Sequence, residues 1–303
     1  MLFIFMRGNS MAKLKYTQEE DLKTPEEFIE AKTKKETAYV RKGKFILNFY
    51  NIWRTIRKAK KITKKIKLDP NLYSEEWRYN WVKKKSKKVL QLLNVYVDVI
   101  GVENWLDRGV ILASNHQSNI DPILMLAVND FSKQQPVSFL AKKELWTQKI
   151  FKHFMNLIDN VPMDRNNPRS VYNAVKEAKD LVTEYKRSLV IFPEGTRSAK
   201  QEMNEFQPAS MKIAQMAYAP IIPITIIDSY KLFVKRPKGQ FRIKIIFGKP
   251  MMPEKFISLK TEMVTRNVFK EIKKNMDKYI DWDPKKLGIK PKLVNKKTRC
   301  TYY

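Results

Sequence analysis

Short apolar runs alternate with longer segments of helical spacing along most of the chain. Val110-Ile111-Leu112-Ala113-Ser114, Leu189-Val190-Ile191-Phe192 and Pro220 to Ile227 are continuous apolar runs, as expected of strands buried on both faces of a parallel sheet. Val137 to Ala141 predicts another strand, and Val161 to Asn166 a short extended piece. Val95 to Ile100 and Phe241 to Phe247 alternate polar with apolar residues, which predicts sheet edges. Helical spacing falls between these runs: after Asp121-Pro122, from Lys142 to about Met155, from Ser170 to Lys186, from Phe206 to Tyr218 and from Leu259 to Ile280. Strands separated by helices predict an α/β domain over residues 93–283, with a mixed, mostly parallel sheet flanked by helices.

The residues before that domain follow a different pattern. Within a charged N-terminal extension, 1–40, Thr24-Pro25-Glu26-Glu27 has the form of a capping box and predicts a helix to about Val40. Over 41–92 two helices are predicted. Phe45, Phe49, Ile52, Trp53 and Ile56 recur on one side of the first, with Arg54, Arg57, Lys58 and Lys61 mainly on the other. After Asp69-Pro70, a helix beginning near Ser74 carries Trp77, Trp81 and five lysines between 83 and 88. Such a basic amphipathic pair matches an element lying in a membrane interface through Phe45, Phe49, Trp53, Trp77 and Trp81. The competing reading packs the aromatic faces onto the domain and leaves the lysines in water. The lysine-rich tail, 284–303, is expected to be loosely ordered.

Charge extends this picture. Sixty Lys and Arg against 31 Asp and Glu give a formal +29, which attracts polyanions, either an anionic membrane surface or nucleic acid. One cysteine, Cys300, excludes an internal disulfide, and two histidines leave no zinc constellation. These counts match a reducing cytoplasm, and no apolar run approaches the roughly 20 residues of a membrane span. The expected place is peripheral, on the cytoplasmic face of a membrane.

Chemistry-bearing residues cluster where strands end. His116 follows the Val110–Ser114 strand, in the turn before a helix that Asp121 and Pro122 would open. Residues five apart share no helix face, so His116 and Asp121 meet only if the chain turns between them. A carboxylate behind the imidazole would fix its tautomer and free the other nitrogen as a general base. In the plainer alternative Asp121 only caps the helix and His116 is a polar loop residue. His153, among Phe151, Phe154 and Met155, reads as a core or surface histidine. After the Leu189–Phe192 strand, Glu194-Gly195-Thr196-Arg197-Ser198 supplies backbone amides, hydroxyls and a guanidinium, the materials of a phosphate site without the P-loop ending. Asp164-Arg165 adds a third cluster. No Gly-x-Ser-x-Gly elbow is present, which disfavours a serine hydrolase.

In chain order, Asn115-His116-Gln117-Ser118 through Asp121, Asp164-Arg165, Phe192 to Ser198 and Ile222-Pro223-Ile224 resemble the four sequence blocks of the glycerophospholipid acyltransferase family, above all its bacterial 1-acyl-sn-glycerol-3-phosphate branch. The resemblance covers about Val95 to Gly248. It implies transfer of an acyl chain from a thioester donor, acyl-CoA or acyl carrier protein, to the 2-hydroxyl of 1-acyl-sn-glycerol 3-phosphate, making phosphatidic acid. It implies His116 as base and Asp121 as its orienting partner, with Arg165, Glu194, Gly195, Thr196 and Arg197 binding the acceptor's phosphate and glycerol. Pro223 would line the acyl site, and the two basic helices would dock on the membrane. No metal or cofactor is implied. Glycerol 3-phosphate or another lysophospholipid is the alternative acceptor, and a non-catalytic nucleic-acid module the alternative of another class. Two departures stand out: Asp159-Asn160 where the second block often has a glycine, and Phe206-Gln207-Pro208-Ala209 where Phe-Lys-x-Gly is common.

Overall fold

The structure, a computed structural model, describes residues 42–129, 136–234, 240–296 and 299–303. The expected extension 1–40 and the side chain of Phe45 lie outside the described residues. Two long helices come first, α1 (Lys42–Leu68) and α2 (Glu75–Leu93). The domain then runs through β1 (Val95–Ile100), β2 (Val110–Ser114), α3 (Asp121–Val128), β3 (Val137–Lys142), β4 (Val161–Met163), α4 (Pro168–Thr183) and β5 (Ser188–Ile191). It closes with β6 (Ile221–Ile227), β7 (Phe241–Phe247), α5 (Thr261–Tyr279), β8 (Leu293–Asn295) and β9 (Cys300–Tyr302).

The nine strands form one sheet in the order β4-β3-β5-β2-β6-β7-β1-β9-β8. From β4 to β6 all neighbours are parallel; β7 runs antiparallel to β6, β1 and β9 are parallel to β7 and to each other, and β8 turns back. The mixed, mostly parallel sheet is as expected. Its edges are not. β7 and β1, expected at edges, are interior, because the lysine-rich tail adds two more strands. Cys300 is fully buried, Val97 and Tyr303 amides exchange bonds with Arg299 and Val99 carbonyls, and Arg299 Nη1 donates to Asn94 Oδ1 at 2.7 Å. A tail that satisfies its backbone on an open strand edge is held by the ladder, whatever its charge. Both true edges, β4 and β8, are three residues long, which limits edge pairing with other chains.

The period of two along the strands sorts their side chains into two cores. Val110, Leu112 and Val190 face α2 and α3, with Ala59 and Ile62 of α1 joining that side. Ile111, Ala113, Leu189 and Ile191 face Ala174 and Ala178 of α4 and Val264, Val268 and Ile272 of α5. This gives three layers, helix, sheet, helix, with both sheet faces covered, the reason these strands carry continuous apolar runs. Pro223 sits inside β6 without breaking the ladder. Its carbonyl accepts from Gly248 N at 2.8 Å, so its nitrogen faces the same side, just past the Ile224–Phe247 pair where β7 ends.

Two expected helices are shorter than their spacing. The 142–155 segment breaks into a 3-10 turn, Lys143–Trp146, and one helical turn, Lys152–Met155. Thr147 closes the first by placing both its N and Oγ1 on the Glu144 carbonyl. The 206–218 segment is coiled until Pro208, then a 3-10 turn and five helical residues.

The helical pair divides its aromatics. α2 starts as expected, with Ser74 accepting from Trp77 N. Phe49, Trp53 and Trp77 are 47%, 44% and 37% exposed, with Arg57 over the Trp53 ring and Lys58 over Trp77. Trp81 departs from the interfacial expectation. It is buried and stacked on Phe154, with rings 6.1 Å apart, so it belongs to the core. At the sheet end away from the parallel strands' carboxyl termini, Arg187 anchors the start of α2. It holds both Glu75 oxygens at 2.8 and 2.7 Å and Asp159 at 3.1 Å.

Candidate active site

Parallel pairing sets the site. Ala113 is level with Ile191 and Ser114 with Ile224, so the chains leaving β2, β5 and β6 emerge side by side. Asn115 continues the β2–β6 ladder with its side chain: Nδ2 donates to Ile226 O at 2.9 Å, and Oδ1 accepts from Ile226 N at 2.7 Å. The chain is then free to turn while still anchored. His116 follows, at the mouth of the sheet.

His116 is held at three points. Its backbone N donates to Glu194 Oε1 at 2.7 Å, and its carbonyl accepts from Ser198 N at 2.8 Å. Its Nδ1 lies 2.9 Å from Asp121 Oδ2. Because an ionised carboxylate only accepts, Nδ1 carries the proton and Nε2 the lone pair. The ring stacks on Phe192 at 4.1 Å, and 17% of the side chain is exposed. One imidazole edge is thus fixed by protein while the ring keeps a path to solvent.

Asp121 is fully buried and saturated. Oδ2 also accepts from Ser118 N at 2.8 Å, and Oδ1 accepts from the hydroxyls of Ser118 at 3.0 Å and Ser229 at 2.6 Å. These contacts displace the expected capping role. Ile120 occupies the cap position, Asp121 begins α3, and its carboxylate turns back into the loop.

Glu194 also faces inward. It is 3% exposed, and its second oxygen accepts from Asn204 N at 2.8 Å. Burial pushes its carboxyl up to about 7 against the two amide hydrogen bonds that favour the charge, with Asp121 adding repulsion. Gly195 turns at φ +75°, a left-handed conformation, and its carbonyl accepts from Arg165 Nη1. The Arg165 guanidinium occupies the space where a Cβ would stand. Thr196 is exposed and Arg197 partly so. Thus Arg165 and the 194–198 loop do converge on His116, as their positions in the chain predict. Pro223 does not. It pairs with Ala113, three residues or roughly 10 Å along the strand from His116, and packs on Gly248.

The sequence names Ser118 and Ser198 within motifs but gives no sign of the bonds they make to the dyad, and it does not single out Asn204 or Ser229. Ser118 was within the first block, but serine hydroxyls in loops are too common to single out. Ser229 follows Asp228, which turns at φ +73° directly after β6. Its position at a third strand's end was the available signal. Among the described residues no group of three or more His, Cys, Asp or Glu suits a metal ion, and no helix is long and apolar enough to cross a membrane.

Comparison with known proteins gives three findings. The acyltransferase family model matches residues 96–227. A probable 1-acyl-sn-glycerol-3-phosphate acyltransferase of Mycoplasma pneumoniae is 31% identical over 223 residues, 69% of this chain and 82% of that protein; its Mycoplasma genitalium counterpart is 29% identical over 199 residues, 60% and 74%. The crystal structure of the 1-acyl-sn-glycerophosphate acyltransferase of Thermotoga maritima superposes with a TM-score of 0.63 at 24% identity, over 78% of this chain and 95% of that one.

Proposed function

This chain belongs to the 1-acyl-sn-glycerol-3-phosphate acyltransferase family, and from that premise we propose that it makes phosphatidic acid. The acyl chain comes from a thioester, acyl-CoA or acyl carrier protein, and goes to the 2-hydroxyl of 1-acyl-sn-glycerol 3-phosphate. The observation that carries this reading is the His116–Asp121 pair at the carboxyl end of β2, with its backbone locked by the loop after β5.

His116 Nε2 takes the hydroxyl proton as the oxygen attacks the thioester carbonyl. Asp121 holds the ring and stabilises the imidazolium. Collapse of the tetrahedral adduct breaks the carbon–sulfur bond, and the imidazolium returns the proton to the departing thiolate. Arg165 and Arg197 are assigned to the acceptor's phosphate, with Thr196 at the glycerol. Glu194 and Gly195 act beneath them, holding His116 and leaving room for Arg165. The α1–α2 pair carries the enzyme to lipid. Exposed Phe49, Trp53 and Trp77 beside Arg57 and Lys58 are the materials of an interfacial contact with an anionic surface, peripheral and on the cytoplasmic face.

The test is transfer by purified protein from a panel of donors to a panel of acceptors, with and without liposomes. His116→Ala should abolish product while liposome sedimentation persists; equal turnover by that variant removes the proposed base. Salt-sensitive binding to DNA without acyl transfer would favour the nucleic-acid alternative.

A further inference from the structure

The shortest hydrogen bond to Asp121 comes from outside the stretch that defines the family. The acyltransferase match ends at residue 227, and Ser229 lies two residues beyond it. Ser229 is fully buried and turns its amide and hydroxyl to the dyad and its loop, while its carbonyl accepts from Leu232 N. Its amide donates to Gln117 Oε1 at 3.1 Å, its hydroxyl lies 2.6 Å from Asp121 Oδ1, and Ser118 Oγ lies 3.0 Å from that hydroxyl. The left-handed turn at Asp228, uncommon for a residue with a side chain, brings Ser229 over the carboxylate directly after β6.

Ser229 has one hydroxyl proton, and Asp121 Oδ1 is a pure acceptor, so the proton goes there. Ser118 Oγ lies 3.0 Å from both Asp121 Oδ1 and Ser229 Oγ, and its single proton serves one of them at a time. A carboxylate turns readily about its last bond, and Oδ2 is shared between His116 Nδ1 and Ser118 N. Ser118 and Ser229 both reach Oδ1, and Ser229, the shorter contact, holds it from the end of a separate strand.

We propose that Ser229 is a positioning residue of the dyad, acting through Asp121 to hold Oδ2 on His116 Nδ1. The proposal rests on His116 being the base. The Ser229 hydroxyl draws charge toward Oδ1; without it the carboxylate's charge falls more fully on the imidazole and binds its proton harder. The titratable groups in direct contact with His116 are Asp121 and Glu194, and Ser229→Ala alters neither side chain.

Steady-state kinetics over pH should compare wild type, Ser229→Ala and Ser229→Thr. Loss of one hydrogen bond to a buried carboxylate predicts a fall in kcat of about tenfold for the alanine variant, with the acceptor KM within about twofold. Its acid limb should move to higher pH, and Ser229→Thr, which keeps the hydroxyl, should restore both. Because the chain has only two histidines, imidazole NMR provides a readout independent of turnover. In Ser229→Ala the His116 ring should titrate at higher pH than in wild type, while His153 stays in place. Unchanged kcat and ring titration, or a loss of kcat that leaves the titration unmoved and that threonine does not rescue, overturns the proposal. If His116→Ala turns over normally, the underlying assignment of the base has failed instead.

Discussion

Glu194→Gln separates two roles open to one carboxylate. The resemblance to the family assigns Glu194 to the acceptor, whereas its oxygens accept from His116 N at 2.7 Å and Asn204 N at 2.8 Å. An amide satisfies only one of those donors, because its NH2 group then faces the other. One lost bond to a buried carboxylate costs about 1.5–3 kcal/mol, equivalent to roughly tenfold or more if the lost anchor is that of His116. The expected result is therefore lower kcat at near-constant acceptor KM. A raised KM with kcat intact would mean that Glu194 touches substrate, and would refute the positioning role.

Stability gives a second, independent readout on the same variant. Burial, with Asp121 adding repulsion, raises the folded carboxyl to about 7 from an ordinary 4.5 despite the two amide hydrogen bonds. The folded state therefore holds a proton that the unfolded chain has released across that window. The stability due to this group is full below pH 4.5 and is lost as pH rises through about 7. At roughly 1.4 kcal/mol per pH unit the loss is about 3 kcal/mol. Glutamine does not titrate, so Glu194→Gln should gain on wild type between pH 5 and pH 8. At about 2 °C per kcal/mol, the Tm difference should move by about 6 °C in the variant's favour. A pH-independent difference would remove Glu194 as the titrating group.

Two further substitutions test the surroundings. Gly195→Ala should cost at least tenfold in kcat/KM for the acceptor, because its Cβ must displace the Arg165 guanidinium and its backbone must keep φ +75°; wild-type kcat/KM would show that Arg165 is free to move without consequence. Trp53→Ala with Trp77→Ala should weaken sedimentation with anionic liposomes at nearly unchanged Tm. Trp81→Ala should instead lower stability by about 3 kcal/mol, and the reverse pattern would undo the division of exposed and buried tryptophans.

What was legible in the chain follows from which interactions are local. β2, β5 and β6 declared themselves because strands covered on both faces need continuous apolar runs, and His116 with Asp121 because a strand end followed by a proline-opened helix confines both to one turn. The tail's lysines speak for solvent exposure, while its backbone pairing with β1 leaves almost no trace in side-chain type; Leu293 and Val294 in β8 and Cys300 and Tyr302 in β9 are its short apolar hints. Spacing groups Trp81 with the interfacial aromatics because it cannot tell a core face from an interfacial one. Phe154, its stacking partner, lies 73 residues away.

The same non-locality divides the loop after β5. Sequence presents Glu194, Gly195, Thr196 and Arg197 as one motif and invites one role. The fold assigns alternate duties: Glu194 and Gly195 are buried, one holding His116 N and the other receiving Arg165, while Thr196 is exposed and Arg197 partly exposed. Residues turned inward affect a reaction only through the groups they place, so the loss of Glu194, which places His116, belongs in kcat; the proposed acceptor role of the outward residues puts theirs first in KM. Arg197→Ala should therefore raise the acceptor KM by about tenfold or more, the worth of a charge-assisted contact to phosphate, with little change in kcat. Measured beside Glu194→Gln in one assay, the pair gives opposite signatures from residues three apart. Matching signatures would mean that the loop acts as a single binding element after all.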